Sequence, residues 1–161
     1  MANLTPKQAL ARISRIEKAI LDSEKRISIS ILQRRRANMN QRIFVKGIAT
    51  DGALITSKVI AKGSRIGAYS QRQGSARRSR GRQTTLVDLN DTSNLRSSLI
   101  IGESGDKVVL GFRDMKSRRI ALSHEQYREK EIFRGTRSER DQDKKVAKAE
   151  FRAIIRKASR R

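Results

Sequence analysis

The stretch that decides the fold runs from Thr84 to Phe133 and reads TTLVDLNDTSNLRSSLIIGESGDKVVLGFRDMKSRRIALSHEQYREKEIF. Two apolar runs lie in its middle, at 99–101 and 108–112, and both are rich in β-branched residues. The polar segment 103–106 between them contains a glycine, so the two runs are predicted to pair as a β-hairpin with a four-residue loop. A single hairpin is only marginally stable in water, and other elements must therefore pack on it.

The alternation of side chains along the second run predicts which face is covered. Val108, Leu110 and Phe112 share one face, because successive side chains of a strand point to opposite sides. We predict that this face and the apolar residues before and after the hairpin form the core: Leu95, Leu99, Ile101, Val108, Leu110, Phe112, Phe133, Phe151 and Ile155.

The segments that flank the hairpin are predicted to contain short helices. The side-chain oxygens of 91–93 (Asp-Thr-Ser) can accept hydrogen bonds from backbone N–H groups two or three residues later, which is typical of a turn or a helix start. Leu95 and Leu99 follow at near-helical spacing, which predicts one helical turn leading into the first strand. After the hairpin, a short helix ending near His124 is predicted.

The N-terminal region predicts a long helix. Thr5 can cap it, Pro6 suits the first helical position, and Gln8 completes a capping box. The helix is predicted to run to about Asn38, a length of about 50 Å. It lies across the sheet in one interpretation, and in another its far end packs on a neighbouring subunit. One apolar stripe follows it: Leu10, Ile13, Ile16, Ile20, Ile27 and Ile31.

The segment between this helix and the hairpin region is predicted to be largely irregular. The apolar run 43–45 precedes a turn at 51–52, which predicts a weak second hairpin or an extended arm. From Lys58 to Arg82 there are eight basic residues, four glycines, four serines and no acidic side chain. Because apolar residues are too few there to form a core, positions 58–83 are predicted to form a basic arm of a single domain over 1–161.

The C-terminal region predicts a closing helix over 138–161 that packs on the hairpin. The predicted fold class is therefore α+β, with a small antiparallel sheet (the hairpin at about 99–112) packed by a long N-terminal helix and a C-terminal helix. The apolar stripe of the closing helix comprises Val146, Ala147, Phe151, Ile154, Ile155 and Ala158.

The composition indicates a thin core and a strong attraction to anions. Only 36% of residues are hydrophobic and 4% aromatic, whereas 38 lysines and arginines against 16 acidic residues give a net charge of +22. Such a chain attracts polyanions, so its partners are expected to be nucleic acid or acidic protein surfaces. The absence of cysteine excludes disulfides and thiolate metal sites. No run of about 18 apolar residues and no signal-peptide pattern occur, so no membrane partner is expected.

Clusters of basic residues are the candidate contacts with a partner or a polyanion, although clusters of this kind are also found as solvated surface. Tyr69 and Tyr127 are too few to form a stacking platform, so any contact with nucleic acid is expected to be directed at phosphates and sensitive to salt. The candidate residues are Arg34, Arg35, Arg36, Arg72, Arg77, Arg78, Arg80, Arg82, Lys157, Arg160 and Arg161.

No pattern in the sequence predicts catalysis. His124, the one histidine, lies between Ser123 and Glu125, but a catalytic triad is assembled in space and not by neighbours in the sequence. Nucleophile-elbow, P-loop and metal-ligand spacings do not occur. We therefore expect a protein that is not an enzyme and takes no cofactor, metal or small-molecule substrate, with His124 as a packing residue.

The order of features between Asp91 and Gly135 resembles the tailed-bacteriophage virion morphogenesis proteins, which are tail-completion and head–tail joining proteins. The resemblance covers about a third of the chain, or about two thirds with the flanking helices. This chain has Thr92-Ser93 where the family pattern usually has Thr-Gly. The matching residues are Asp91-Thr92, Leu95, Ser98, Val108 to Phe112, Ala121, His124 and Ile132-Phe133-Arg134-Gly135.

The resemblance implies a structural virion protein of the phage neck, assembled in the host cytoplasm. Its partners would be copies of itself in a ring, the portal or adaptor proteins and the tail proteins, with possible non-specific contact to DNA. The basic arm and the basic ends would then contact other subunits. Two alternatives remain: a basic nucleic-acid-binding protein of the ribosomal or DNA-packaging type, and an assembly chaperone that leaves the finished particle.

Overall fold

The computed structural model describes residues 5–55, 65–89 and 94–159. The described residues contain two antiparallel sheets of two strands each, β1–β2 and β3–β4. The predicted α+β class is therefore confirmed, with a long N-terminal helix and a C-terminal helix. The elements in chain order are α1 (Pro6–Phe44), β1 (Arg65–Ile66), β2 (Tyr69–Ser70), α2 (Gln71–Ser79), α3 (Asn94–Ser98), β3 (Leu99–Ser104), β4 (Lys107–Phe112), α4 (Met115–Arg128) and α5 (Arg137–Ser159).

The start of α1 follows the prediction. The Thr5 hydroxyl accepts a hydrogen bond from the Gln8 backbone N–H, and the Gln8 side chain accepts one from the Thr5 backbone N–H. With Pro6 at the first position, this capping box fixes where the helix begins. Its 39 residues make α1 about 58 Å long.

The end of α1 corrects the prediction. The helix continues past Asn38 to Phe44, so the apolar run at its end forms a last helical turn and not a strand. Ile43 and Phe44 are almost completely buried there. An isolated bridge between Ile48 and Leu54 takes the place of the expected weak hairpin.

The predicted central hairpin is present, but its turn is shorter than expected. β3 and β4 pair from Leu99 opposite Phe112 to Ser104 opposite Lys107, which leaves a turn of two residues at 105–106. Gly105 has a φ of +57°, the left-handed conformation that tight hairpin turns require at this position. The strands therefore extend closer to the turn than the four-residue loop allowed.

One face of the hairpin packs against α1. Leu99 is buried, and the other apolar side chains of this face are half-buried. Lys25 of α1 reaches Glu103 on the same face at 2.8 Å. The opposite face is open, and Val109 on it is 40% exposed. The α1-facing residues are Leu99, Ile101, Val108, Leu110 and Phe112.

The core lies at the C-terminal end of α1. Phe133 links this end to the hairpin, since its ring is 5.3 Å from that of Phe112 and 6.4 Å from that of Phe44. Most of α1 before its last turns therefore lies outside the core. The core comprises Met39, Ile43, Phe44, Ala49, Ile55, Tyr69, Val87, Leu95, Leu99, Ala121 and Ile132.

The closing helix has a different partner from the one predicted. α5 packs along α1, while the hairpin occupies another side of α1. Phe151 is half-buried, but Ile155 is 39% exposed and does not belong to the core. Ile155 lies about 100° around the helix from Ile154, which faces α1.

The region predicted to be a basic arm contains regular structure. β1 and β2 form a small hairpin, and Ser70 then caps α2 by accepting a hydrogen bond from the Gln73 backbone N–H. The Ala68 backbone N–H donates to the Thr84 carbonyl at 2.8 Å, which joins this hairpin to the segment after α2. Positions 58–64 of the predicted arm lie outside the described residues.

The helices around the central hairpin follow the prediction in position. α3 ends where β3 begins, and the predicted turn at 91–93 lies outside the described residues. α4 extends past His124 to Arg128. Asp114 caps α4, and the hydrogen bond from the Ser117 backbone N–H lowers the pKa of that carboxyl.

Candidate interaction surfaces

Arg77, a predicted partner contact, lies inside the molecule. Its side chain is 1% exposed, and its Nη2 donates to both carboxylate oxygens of Asp88 at 2.9 and 3.0 Å. The guanidinium also lies over the Tyr69 ring, 4.5 Å from its centroid. Burial raises the pKa of the Tyr69 phenol, so it stays protonated and donates to Asp88. Arg77 stabilises the fold because its buried charge is paired, and it is not available to a partner.

Arg34 and Arg35 are also engaged within the chain. Arg34 Nη2 lies 2.9 Å from Oδ1 of Asp143, and Arg35 Nε lies 2.8 Å from Oδ2. Asp143 is buried in α5, so the two arginines satisfy its charge and hold α5 against α1. Both side chains stay about one-third exposed, so their contact with a partner remains a prediction.

Arg36 differs from its two neighbours. It is half-buried and makes no ion pair among the described residues. Its Nε has no hydrogen-bond partner there, and the same holds for Oδ1 of Asn40, one turn further along α1. The Nε atom is itself buried, so Arg36 remains a candidate contact only through its other guanidinium nitrogens.

The basic residues in and after α2 are mostly at the surface. Arg72, Arg78 and Arg80 are exposed, and Arg82 is half-buried. The backbone folds into a turn at the end of α2, where the N–H groups of Arg80 and Arg82 donate hydrogen bonds to the Arg77 carbonyl. The cations near this helix end are also favourably placed against the helix dipole. The described part of the basic segment is thus a folded, charged surface.

Lys157 borders a groove of about 350 Å³ between α1 and α5. Arg15 and Arg26 line the same groove, with Asp22 as its acidic residue. The two arginines are 11 residues apart, which is close to three helical turns and puts them on one face of α1. That spacing was visible in the sequence, but the position of α5 opposite it was not. The predicted contacts Arg160 and Arg161 lie outside the described residues.

The N-terminal half of α1 carries exposed apolar side chains. Leu10, Ile13 and Leu21 are 66%, 60% and 64% exposed. The last described turns of α5 lie beside Arg15 and the turns that follow it, so α1 extends past the described part of α5. The apolar stripe predicted for α1 therefore continues onto turns that nothing covers among the described residues.

A second exposed apolar surface lies on α4. Met115, Ile120, Leu122 and Tyr127 are between 40% and 63% exposed. The opposite side of the helix is buried through Ser117 and by Ala121 in the core. Sequence reasoning missed this surface because the apolar positions of 115–122 have no regular period.

Arg42 is a structural residue that sequence reasoning also missed. It is 8% exposed, and its guanidinium donates to the carbonyls of Ile48, Ile132 and Arg134 at 2.6 to 3.3 Å. Its Nε lies 3.4 Å from a Glu139 carboxylate oxygen. An arginine in a charged helix is expected at the surface, so the sequence pattern carries no sign of this role.

His124 lies half-buried in α4, beside the groove between α3 and α4. Burial lowers the pKa of its imidazole, and the nearby Arg128 guanidinium lowers it further. Within the described residues its ring makes no hydrogen bond. The imidazole is therefore neutral at pH 7.

The described residues contain no group of three or more histidine, aspartate or glutamate side chains that could hold a metal ion. Of the described helices, none has the length and apolar character needed to cross a membrane. Comparisons with protein-family models, with curated proteins and with solved structures found no match for this chain.

Proposed function

We propose that this protein is a structural component of a tailed-bacteriophage virion that forms a ring with copies of itself at the neck. In this role it joins the portal or adaptor proteins to the tail. The phage assignment is supported by the resemblance between Asp91 and Gly135. The residues of that resemblance within the described part of the chain lie in one contiguous segment: α3, the β3–β4 hairpin, α4 and the loop that follows α4.

The observation that carries the assembly part of the proposal is the exposed half of α1. Leu10, Ile13 and Leu21 lie on one side of the helix, because spacings of 3 and 11 residues both return to the same face. Each side chain is at least 60% exposed. Apolar side chains gathered on a projecting helix favour association, because association removes them from water.

The net charge of +22 agrees with a place in a particle that contains DNA. Copies of so basic a chain repel one another unless counter-charges are near. Phosphates of DNA passing through a ring would offset this repulsion through non-specific contacts. The exposed Arg72, Arg78 and Arg80 are suited to such contacts.

The proposal is tested by light scattering on nuclease-treated protein as it elutes from a sizing column, with absorbance at 260 and 280 nm. We expect a discrete multimer free of nucleic acid, and closed rings in negative-stain electron micrographs of the same fraction. A protein that remains monomeric at every concentration would contradict the proposal.

The α1–α5 groove favours a second candidate function, direct binding of nucleic acid. Arg15, Arg26 and Lys157 converge there. If they bind phosphates, replacing all three with serine lowers the affinity for duplex DNA and reduces the salt slope by about 3. The matched control replaces three exposed lysines of α5 with serine: Lys144, Lys145 and Lys148. An equal loss in both variants would indicate attraction by net charge alone, without a site in the groove.

A further inference from the structure

One side of the N-terminal half of α1 carries two carboxylates among three apolar residues, and we call these five residues the α1 stripe. Leu10, Ile13, Glu17, Ile20 and Glu24 follow one another at steps of three, four, three and four, which is the spacing of a coiled-coil seam. Leu10, Ile13 and both glutamates are exposed, and Ile20 is half-buried. Neither glutamate makes an ion pair with any described residue. The stripe is thus apolar and acidic, in a chain whose surface is otherwise strongly basic.

The outward face of α4 has the complementary pattern. Met115, Arg118, Arg119, Leu122 and Gln126 are all exposed, and their spacing places them on one side of the helix. The two arginines make no ion pair within the described part of the chain.

Glu125, the one carboxylate within α4, is turned away from this face. Glu125 Oε1 accepts hydrogen bonds from the backbone N–H groups of Ile132 and Phe133 at 2.7 and 2.9 Å. The outward face of α4 is therefore apolar and basic.

The two surfaces cannot meet within one chain. α4 packs through Ala121 into the core at the C-terminal end of α1, together with Met39 and Ile43. Glu24 and Leu10, the two ends of the stripe, precede Met39 by 15 and 29 positions, which corresponds to about 22 and 44 Å along the helix. A contact between the stripe and α4 must therefore join two copies.

We propose that the α1 stripe of one copy docks on the outward face of α4 of the next copy. With the two helices antiparallel, Ile13 packs on Leu122 and Ile20 packs on Met115, because each helix places its two residues seven positions apart. Glu17 then pairs with Arg118 and Arg119 between these contacts, and Glu24 follows at the end of the contact. This inference rests on the proposed ring and names the contact that builds it.

The contact joins two different surfaces, so each copy has one of each to offer its two neighbours. Such a head-to-tail arrangement generates a ring when its rotation closes. The alternation of apolar and charged positions fixes the register and excludes pairing of two α1 stripes, whose glutamates would repel each other.

Charge reversal tests the contact. We expect the double substitutions Glu17→Arg/Glu24→Arg and Arg118→Glu/Arg119→Glu each to convert the multimer to monomers, and the four substitutions in one chain to restore it. Asp106→Arg/Glu150→Arg is the matched control, because it makes the same charge change as the first pair at exposed positions outside both surfaces. The measurement is sedimentation velocity, with circular dichroism to verify folding.

Cross-linking gives a second test that does not depend on charge. The chain has no cysteine, so introduced thiols report on one contact at a time. A mixture of Ile13→Cys and Leu122→Cys proteins is expected to form disulfide-linked dimers on mild oxidation, whereas Leu54→Cys mixed with Leu122→Cys is not.

The outcomes separate this contact from the ring itself. A multimer that survives both charge reversals overturns the contact and leaves the ring standing. The same conclusion follows if the Ile13→Cys and Leu122→Cys proteins form a multimer but no disulfide-linked dimer. A wild-type protein that is monomeric throughout overturns both the contact and the ring.

Discussion

Arg77 and Arg78 are adjacent in α2, yet their surroundings differ. Arg77 is enclosed between Asp88 and Tyr69, and Arg78 is exposed. Arg77→Ser leaves a buried carboxylate without its main partner, so we expect the free energy of unfolding to fall by about 3–5 kcal/mol. Arg78→Ser is expected to change it by less than about 0.5 kcal/mol. Urea unfolding followed by circular dichroism measures both variants.

Equal effects of the two substitutions would contradict this assignment of Arg77 to the interior. The distinction also determines how the basic surface is tested. A variant that replaces Arg77 together with its neighbours would lose binding through unfolding, so tests of the surface should change Arg72 and Arg78 and retain Arg77.

His124 predicts a dependence of stability on pH. Its pKa is lowered in the folded state by burial and by Arg128, whereas the unfolded chain protonates it near pH 6.5. Below that value the unfolded state binds more protons, so the stability present above pH 6.5 is lost as the pH falls towards the folded-state pKa. We expect a lower Tm at pH 5.5 than at pH 7.5.

The control for this effect is His124→Gln, which removes the only imidazole of the chain. Its Tm should change less between the two pH values than that of the wild-type protein. An unchanged pH dependence in His124→Gln would assign the effect to carboxylates instead.

At the scale of the elements, the central hairpin has one covered face and one open face. Leu110 lies on the face against α1, and Val109 is 40% exposed on the other. Leu110→Asp would put a carboxylate against apolar side chains, at a cost of several kcal/mol, and we expect it to unfold the protein. Val109→Asp is expected to cost less than about 1 kcal/mol. Circular dichroism of the two variants shows whether each one is folded. A folded Leu110→Asp protein would contradict the assignment of Leu110 to the covered face.

The elements that the sequence predicted well are those with local causes. The start of α1 depends on Thr5, Pro6 and Gln8, and the hairpin depends on alternation within 99–112. Both signals lie within a few residues, so they can be read without knowing the rest of the fold.

The features that the sequence did not predict depend on distant residues. α5 lies on α1 because Asp143 pairs with Arg34 and Arg35, more than 100 positions earlier in the chain. Arg77 is internal because Asp88 and Tyr69 surround it, and no local pattern separates it from Arg78. Among many similar arginines, only tertiary structure distinguishes those that hold the fold from those that face a partner.

At the scale of the whole molecule, the core and the exposed apolar side chains occupy different ends of α1. The core gathers around the last turns of the helix, near Met39 and Phe44, while Leu10, Ile13 and Leu21 lie outside it. The few apolar residues of the chain are therefore divided between the core and these three exposed positions. If the exposed end of α1 mediates the assembly that we propose, substitutions there should remove assembly without unfolding the subunit.

The variant Leu10→Ser/Ile13→Ser/Leu21→Ser tests that implication. The three serines remove exposed apolar surface and no core contact, so we expect a folded monomer with the circular dichroism spectrum of a helical protein. Binding of copies stabilises the folded state by mass action, so the Tm of the wild-type protein should rise with concentration and that of the variant should not. Val45→Ser/Leu54→Ser, at exposed apolar positions near the core end, is the control and should keep the concentration dependence. If the triple variant still assembles, the exposed half of α1 is not the surface that joins the copies.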